Sequence, residues 1–425
     1  MKVLVVGSGG REHAIAWKIA KSPLVEKLYC APGNGGTRLV AENVAVSDTD
    51  IAGLAGFAAR ERIDLTVVGP EIPLSLGIVD EFERRGLRIF GPSQKAAELE
   101  ASKVFAKQFM ARHKIPTGRF RITEFPEEAL AILRSDEFGF PVVVKADGLA
   151  AGKGVIICES LDEAEQAVRS VMIDRQFGDA GRRVLIEEFL RGKEVSFIII
   201  SDGKKALPLV TTMDHKTVFD GDKGPNTGGM GTISPSPFLT PGLFDEVMRT
   251  IIRPTIARMD EEGRTYKGTL YAGLMLTSEG PKVLEYNCRF GDPETQPQML
   301  RLESDLVDIL ISAIEGNVRI EEVRWNAGAS ACVILASGGY PGPYEKGKVI
   351  TGLEDVMGIP GITVFHAGTK YENGQYLTSG GRVLGVCGTG ATIADARKTI
   401  YDAVGLIRFD GMHYRRDIGT ARMGA

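Results

Sequence analysis

Val283–Gln296 reads VLEYNCRFGDPETQ. Val283, Leu284 and Tyr286 are strand formers. Glu285 and Asn287 alternate with them, so both point to one face of an extended chain. A carboxylate and an amide oxygen on one face are hard ligands suited to Mg²⁺, which takes few protein groups and fills its shell with phosphate oxygens and water. Arg289, Asp292 and Glu294 follow around Gly291 and Pro293. The segment is therefore a strand running into a charged turn, where open sheets carry their sites. The plainer alternative is a half-buried strand with a polar outer face, and the neighbouring segments decide between the two.

The strand before it, Gly268–Leu276, is apolar, and its stretch Thr269–Leu276 (TLYAGLML) supplies no carboxylate. Asp214–Pro241 (DHKTVFDGDKGPNTGGMGTISPSPFLTP) is rich in glycine and proline and has no apolar period. A loop of that length inside a compact domain is functional or disordered. Its polar clusters, Asp214-His215-Lys216 and Asn226-Thr227-Gly228-Gly229-Met230-Gly231, favour contact with a substrate. Phe140–Lys145 and Val155–Cys158 read as strands joined by the glycine-rich tip Ala146–Gly154, which carries Lys153 and has Lys145 at its base. No helix follows and no Lys-Ser/Thr pair is present, which excludes a Walker A loop. A tip of small residues with free amides suits a lid over a polyphosphate, against the alternative of a plain hairpin end. Arg183–Ile186 is a further strand. It runs into Glu187–Leu190, whose main chain is available to a purine edge, with Glu194 placed for a ribose hydroxyl.

At the N-terminus, Lys2–Val6 is a buried strand turned by Gly7-Ser8-Gly9-Gly10 into a helix from about Arg11 to Lys21. A GxGxxG fingerprint fails at Glu12, and the strand Lys27–Cys30 ends in Ala31-Pro32-Gly33 without an acidic residue, so a dinucleotide site is set aside. Gly9 and Gly10 still present amides at a helix start, a candidate phosphate site, against a tight turn with nothing bound. Leu65–Val68 and Arg88–Phe90 end in Gly69-Pro70-Glu71 and Gly91-Pro92-Ser93 on the same edge of a parallel sheet. The pattern predicts one helix over Ala97–His113 carrying Lys103, another from Phe244 to about Asp260, and a third over Met299–Glu315. From about Trp325 onward, short strands and the helix Thr392–Gly405 carry few clustered ionisable groups, which predicts a supporting role.

The five cysteines are dispersed and form no CxxC, which argues against a disulfide scaffold or zinc site and makes Cys288 a packing residue. A net charge of −4 gives no electrostatic case for nucleic acid. The apolar run at the N-terminus is too short for a secretory signal, and no stretch has the length of a membrane span. The expectation is a soluble, cytoplasmic protein.

Gly7–Ala14 (GSGGREHA), Asp147–Val155, Met213–Lys216, Gly224–Gly231 and Arg289–Glu294, with Glu285 and Asn287 before it, together resemble the motifs of the ATP-grasp superfamily. Within it they are similar, over essentially the whole chain, to the phosphoribosylamine–glycine ligase family. The resemblance implies a multidomain α/β and α+β fold. Residues 1–100 would be a Rossmann-like domain, 101–324 an ATP-grasp domain with a nucleotide-covering subdomain at 118–190, and 325–425 a small barrel-like domain. It also implies ATP-dependent joining of glycine to 5-phosphoribosylamine in purine biosynthesis, with Mg²⁺ (or Mn²⁺). The resemblance implies small-molecule substrates with neither nucleic acid nor membrane, and phosphoribosylamine that arrives either by diffusion or by transient contact with the enzyme that supplies it. In family terms Lys103 and Lys145 hold ATP phosphates under the loop with Gly152, Lys153 and Gly154. Glu187, Phe189 and Leu190 meet adenine, and Glu194 meets the ribose. Glu285 and Asn287 bind the metal. Arg289, Asp292 and Asp214 act at the reacting groups, with Lys216, Asn226, Thr227 and Gly228 around glycine. Gly9, Gly10 and Glu71 lie toward phosphoribosylamine. One departure is the bare strand Thr269–Leu276, where many relatives in the superfamily carry another metal-binding carboxylate.

Overall fold

The computed structural model describes residues 1–135, 137–149 and 154–420. Its first unit is a five-stranded parallel sheet in the spatial order Glu42–Asn43, Lys27–Pro32, Lys2–Gly7, Leu65–Val68, Ile89–Phe90. After Lys2 the central strand is apolar because helices cover both faces of such a sheet, and Val3–Val6 are fully buried. Strand order reverses between Lys2–Gly7 and Leu65–Val68, which opens a crevice beyond their carboxyl ends. The turns after these two strands touch there, since a Cβ on Gly7 would lie 2.9 Å from Pro70 Cδ.

Two four-stranded antiparallel sheets follow. One has the order Phe120–Thr123, Val184–Glu188, Val142–Ala146, Val155–Cys158; the other has Ala206–Pro208, Lys193–Asp202, Lys267–Thr277, Gly280–Asn287. The barrel-like C-terminal region consists of two antiparallel sheets, of five and three strands, with the helix Ile393–Val404 packed on the larger. That larger sheet takes Met213–Asp214 and Gly231–Ser234 from the middle of the chain and sets them beside Ala329–Ala336, Arg382–Gly390 and Ile362–His366.

Four expectations need correction. The segment over Ala97–His113 is two helices, Gln94–Ala101 and Lys103–Arg112. Ser102 between them is extended, and its hydroxyl caps the second helix by accepting from Phe105 N at 3.0 Å. Asp147 holds the break by accepting from Ser102 Oγ at 3.0 Å and from Val104 N at 3.1 Å. Met299–Glu315 likewise divides into Thr295–Arg301 and Leu306–Ile314, with Asp305 capping the second helix through Val307 N at 2.8 Å. The helix expected from Phe244 starts at Pro241 and passes through a π turn at Met248–Ile252 before continuing as Arg253–Glu261. Pro254 has no N–H, so the ordinary ladder has no donor at that position. Finally, the long loop after Asp214 is largely built: Thr217–Phe219 and Lys223–Asn226 form a hairpin between the two strands that join the C-terminal sheet.

Phe290 is fully buried and its ring lies 6.1 Å from that of Phe90, which ties the central motif to the first sheet. The first and last units meet at His13 and His366, whose rings are 5.7 Å apart. His366 N donates to His13 Nδ1 at 2.8 Å, and Asn34 Nδ2 donates to His366 O at 2.8 Å. Burial pushes His13 down to about 3, helped by His366, and pushes His366 down to about 4. Both are neutral when folded, whereas the unfolded chain takes up protons near pH 6.5. Their contribution is therefore complete above pH 6.5 and is lost as pH falls toward 4 and then 3. We expect the stability of His366→Gln to fall less steeply than wild type below pH 6.5, by up to about 1.4 kcal/mol per pH unit, in urea titrations at a series of pH values.

Candidate active site

The strand Gly280–Asn287 carries a bulge at Leu284, because Gly273 pairs with Glu285 while Leu274 pairs with Val283. The bulge leaves Glu285 and Asn287 together on the partly exposed face, and the Leu284 carbonyl accepts from Lys145 Nζ at 3.3 Å. Lys145 also pairs with Glu187 Oε2 at 3.1 Å, and Lys107 meets the same oxygen at 3.0 Å. All three groups are buried, and Glu187 Oε1 has no partner among the described residues. Burial lowers Lys107 to about 8 even though Glu187 opposes the shift. Lys103 Nζ donates to Gly148 O at 2.9 Å, and burial lowers it too.

Glu285 is the carboxylate these cations face. Burial alone would raise its pKa, but Lys216, Lys145, Lys103 and Arg289 hold it below the usual range. The Asn287 side-chain oxygen accepts from Arg289 Nη2 at 3.0 Å and retains a second lone pair. Among the described residues no group of three or more His, Cys, Asp or Glu is arranged to hold a metal. An ionised carboxylate beside an amide oxygen fits a Mg²⁺ that takes its other ligands from phosphate and water. It does not fit a metal cage made of protein alone.

Arg289 lies 3.2 Å from Glu71 Oε2 and 3.4 Å from Glu100 Oε1. Burial raises Glu100 to about 7, with Arg289 opposing and Glu71 adding to the shift. Its other oxygen accepts from Cys288 N at 2.6 Å, which fixes the strand end. Burial would raise Glu71 as well, but Arg289 and Arg11 bring it below the usual range. The Cys288 thiol is buried and pushed up by burial, in keeping with packing.

The crevice of the first sheet meets this motif directly. A Cβ on Gly10 would lie 2.9 Å from Gln296 Nε2, and one on Gly9 would lie 3.5 Å from Asp292 Oδ2. The amide of Gly9 is already taken, because Glu12 folds back and accepts from it at 2.6 Å. The free anion-binding amide expected at Gly9 is thus absent, and its place in the site rests on close approach.

Asp214 accepts from His215 N at 2.7 Å, and burial, with Glu294 adding, raises it well above its ordinary value. Glu294 accepts from Ser196 Oγ at 2.9 Å, and that hydroxyl is 2.9 Å from Tyr271 OH. Gly229 (φ +109°) is wedged between Asp214 and Pro293, where a Cβ would come within 2.5 Å of Pro293 Cδ. Lys216 Nζ donates to Glu194. Lys216 O accepts from Thr227 N at 2.8 Å and Thr227 Oγ1 at 2.7 Å, which sets the turn Thr227–Gly229. Asn226 is exposed on the hairpin strand, opposite Thr217.

Glu187 lies in its sheet between Phe120 and Val143, whereas Phe189 and Leu190 lie beyond the strand end at Glu188. Gly154 O accepts from Ala146 N at 2.8 Å, closing the base of the glycine-rich tip. Gly152 and Lys153 lie outside the described residues.

The C-terminal region, expected to play a supporting role, reaches the site through two side chains. Arg382 Nη2 donates to Asp292 Oδ2 at 3.0 Å, and its Nη1 donates to Asp292 O at 2.7 Å and to Gly228 O. Tyr340 OH accepts from Gly228 N at 2.9 Å. Sequence reasoning also passed over Glu100 and Lys107. Lys107 stands one helical turn after Lys103, a spacing that signals a shared face, whereas Arg382 follows Gly380-Gly381 into an apolar strand and gives no such signal.

Arg289→Lys keeps the charge but loses the planar fork that spans Glu71, Glu100 and Asn287. We expect kcat/KM to fall on the order of 10²-fold, with the circular dichroism spectrum unchanged, in steady-state assays at saturating ATP.

Three family models match the chain: "Phosphoribosylglycinamide synthetase, N domain" over residues 1–100, its "ATP-grasp (A) domain" over 101–295 and its "C domain" over 330–421. The chain is 54% identical over 423 residues to the phosphoribosylamine–glycine ligase of Escherichia coli K12, covering 99% of this chain and 98% of the relative. A crystal structure of phosphoribosylamine–glycine ligase from Thermotoga maritima superposes with a TM-score of 0.86 at 36% identity, covering 99% of this chain and all of that one. The biotin carboxylase domain of 2-oxoglutarate carboxylase from Hydrogenobacter thermophilus, solved with MgADP and bicarbonate, shares the fold at 20% identity with a TM-score of 0.77, covering 97% of this chain and 91% of that one. With models matching nearly end to end and such identity over its full length, this chain belongs to the phosphoribosylamine–glycine ligase family of ATP-grasp enzymes.

Proposed function

We propose that the chain joins glycine to 5-phosphoribosylamine at the expense of ATP, giving glycinamide ribonucleotide, ADP and phosphate in de novo purine biosynthesis. The observation that carries this reading is the full-length likeness to phosphoribosylamine–glycine ligases, over a site that gathers Lys103, Lys145, Lys216 and Arg289 around Glu285. A carboxylate does not condense with an amine unaided, because its oxygen leaves poorly. Phosphoryl transfer from ATP to glycine gives glycyl phosphate, and attack by the amine then expels phosphate.

Most of what the protein contributes is positioning and charge neutralisation. Lys103 and Lys145, now on a carbonyl, Glu187 and the Leu284 carbonyl, exchange these partners for ATP phosphates. The loop with Gly152, Lys153 and Gly154 covers them. Phe189 and Leu190 present main chain beyond the sheet to adenine, Glu187 precedes them on the strand, and Glu194 takes the ribose. Glu285 and Asn287 hold Mg²⁺ (or Mn²⁺), which supplies charge neutralisation on the phosphates. Arg289, Asp292 and Asp214 surround glycine and the acyl phosphate with Lys216, Asn226, Thr227 and Gly228. Gly9, Gly10 and Glu71 face phosphoribosylamine.

The reading places the enzyme in the cytoplasm, taking phosphoribosylamine by transient contact with the enzyme that makes it. No helix among the described residues is long and apolar enough to cross a membrane.

ADP release from Mg-ATP, with phosphoribosylamine generated in place, should require glycine. Release supported by bicarbonate or formate instead would overturn the substrate assignment. Glu285→Ala should lower turnover by about 10²-fold or more while leaving the thermal midpoint near wild type, since a partly exposed carboxylate is removed without a core cavity. Wild-type turnover would remove Glu285 from the metal site.

A further inference from the structure

Arg382 is the first residue of the strand Arg382–Gly390 in the C-terminal sheet, yet its guanidinium serves two distant segments. One is the turn Thr227–Gly229 at the end of the hairpin, and the other is Asp292 in the central motif. The peptide groups on either side of Gly228 are gripped together: Tyr340 OH accepts its N–H at 2.9 Å, and Arg382 Nη1 donates to its carbonyl. The same Nη1 reaches Asp292 O at 2.7 Å, and Nη2 reaches Asp292 Oδ2 at 3.0 Å. Asp292 Oδ1 is in turn held by Gln296 Nε2 at 2.7 Å. Both carboxylate oxygens of Asp292 are thus occupied by protein donors. Burial would raise Asp292, but Arg382 and Arg11 hold it below the usual carboxylate range. An aspartate held in this way serves as a fixed anchor.

The glycines around the contact fit it closely. A Cβ on Gly228 would lie 3.0 Å from Arg382 Cζ, and one on Gly381 would lie 2.3 Å from Tyr340 Cδ2. Arg382 and Asp292 side chains are about one-fifth and one-seventh exposed (20% and 14%). The ion pair is therefore more shielded than a surface pair, and its geometry is shared among three acceptors.

We propose that Arg382 and Tyr340 are positioning residues that clamp the Thr227–Gly229 turn onto Asp292, so that closure of the glycine pocket depends on the C-terminal sheet. This inference rests on the functional reading above for what the pocket contains. With the clamp open, water reaches the acyl phosphate. Its oxygen bonds to the carbonyl carbon, the carbon–oxygen bond to phosphate breaks, and a proton passes to solvent, returning glycine and phosphate. ATP is then consumed without product.

The test compares wild type, Arg382→Met, Arg382→Lys and Tyr340→Phe by two readouts. The first is the ratio of glycinamide ribonucleotide to ADP formed. The second is hydrogen exchange at the amides of 226–230, which needs no substrate. Arg382→Met should lower the ratio by roughly threefold or more and raise the KM for glycine about tenfold, leaving the KM for ATP within about twofold. Amide exchange should quicken about tenfold or more, and Arg382→Lys should recover part of both losses. Unchanged exchange in a folded Arg382→Met would overturn the clamp, whatever the activity. If that variant does not fold, Tyr340→Phe decides: faster exchange at Gly228 supports the clamp, and wild-type exchange and coupling overturn it. Wild-type enzyme without glycine-dependent ADP release would fault the functional reading, while the exchange data would still judge the clamp.

Discussion

The guanidinium of Arg289 is the constraint on which the site depends. A largely buried positive charge is tolerated only when its donors are met, and here Glu71, Glu100 and the Asn287 amide meet them. Glu71 opens the short helix after a first-sheet strand, Glu100 belongs to a helix end and Asn287 to the last strand of the central sheet. Removing one partner of such a buried group costs about 3–5 kcal/mol, against about 0–1 kcal/mol for an exposed pair. The many ion pairs on the surface, such as Arg134 with Glu165, therefore say little about what fixes the molecule. The adjacent Phe290 acts in the opposite medium, buried beside Phe90, so consecutive residues bind the same strand end through charge and through packing.

The cations of the site are not idle before substrate arrives. Lys103 rests on the Gly148 carbonyl, Lys145 on Glu187 and the Leu284 carbonyl, and Lys216 on Glu194. Each partner satisfies a charge that burial would otherwise penalise. Glu285 differs, since several cations offset it through space. The bulge at Leu284 links these features: it frees the carbonyl that Lys145 uses and keeps Glu285 in step with Asn287.

What the sequence made legible was local. Glu285, Asn287, Arg289 and Asp292 fall within one short segment, and strand alternation followed by a glycine turn is enough to place them together. The parallel first sheet was legible for the same reason, each strand ending in its own glycine turn. The helix breaks at Ser102 and before Asp305 escaped periodicity because the apolar pattern continues across them, and the cap is set by a partner far along the chain in the case of Asp147. The hairpin after Asp214 escaped because its strands are held by main-chain pairing and carry no alternating apolar face. Arg382 lies 90 residues from Asp292, and nothing local to either residue announces the other.

The boundaries between units are correspondingly less sharp in space than along the chain. Met213–Asp214 and Gly231–Ser234 enter the C-terminal sheet, so the hairpin between them is carried on a platform whose other strands arrive more than about ninety residues later. Asp214 is thereby fixed from the C-terminal side, Glu285 from the central sheet and Glu71 from the first. A pocket assembled from three such platforms is competent only when all are docked. The buried contacts between units, His13 with His366 and Phe90 with Phe290, set the distances between groups that no single unit holds in common.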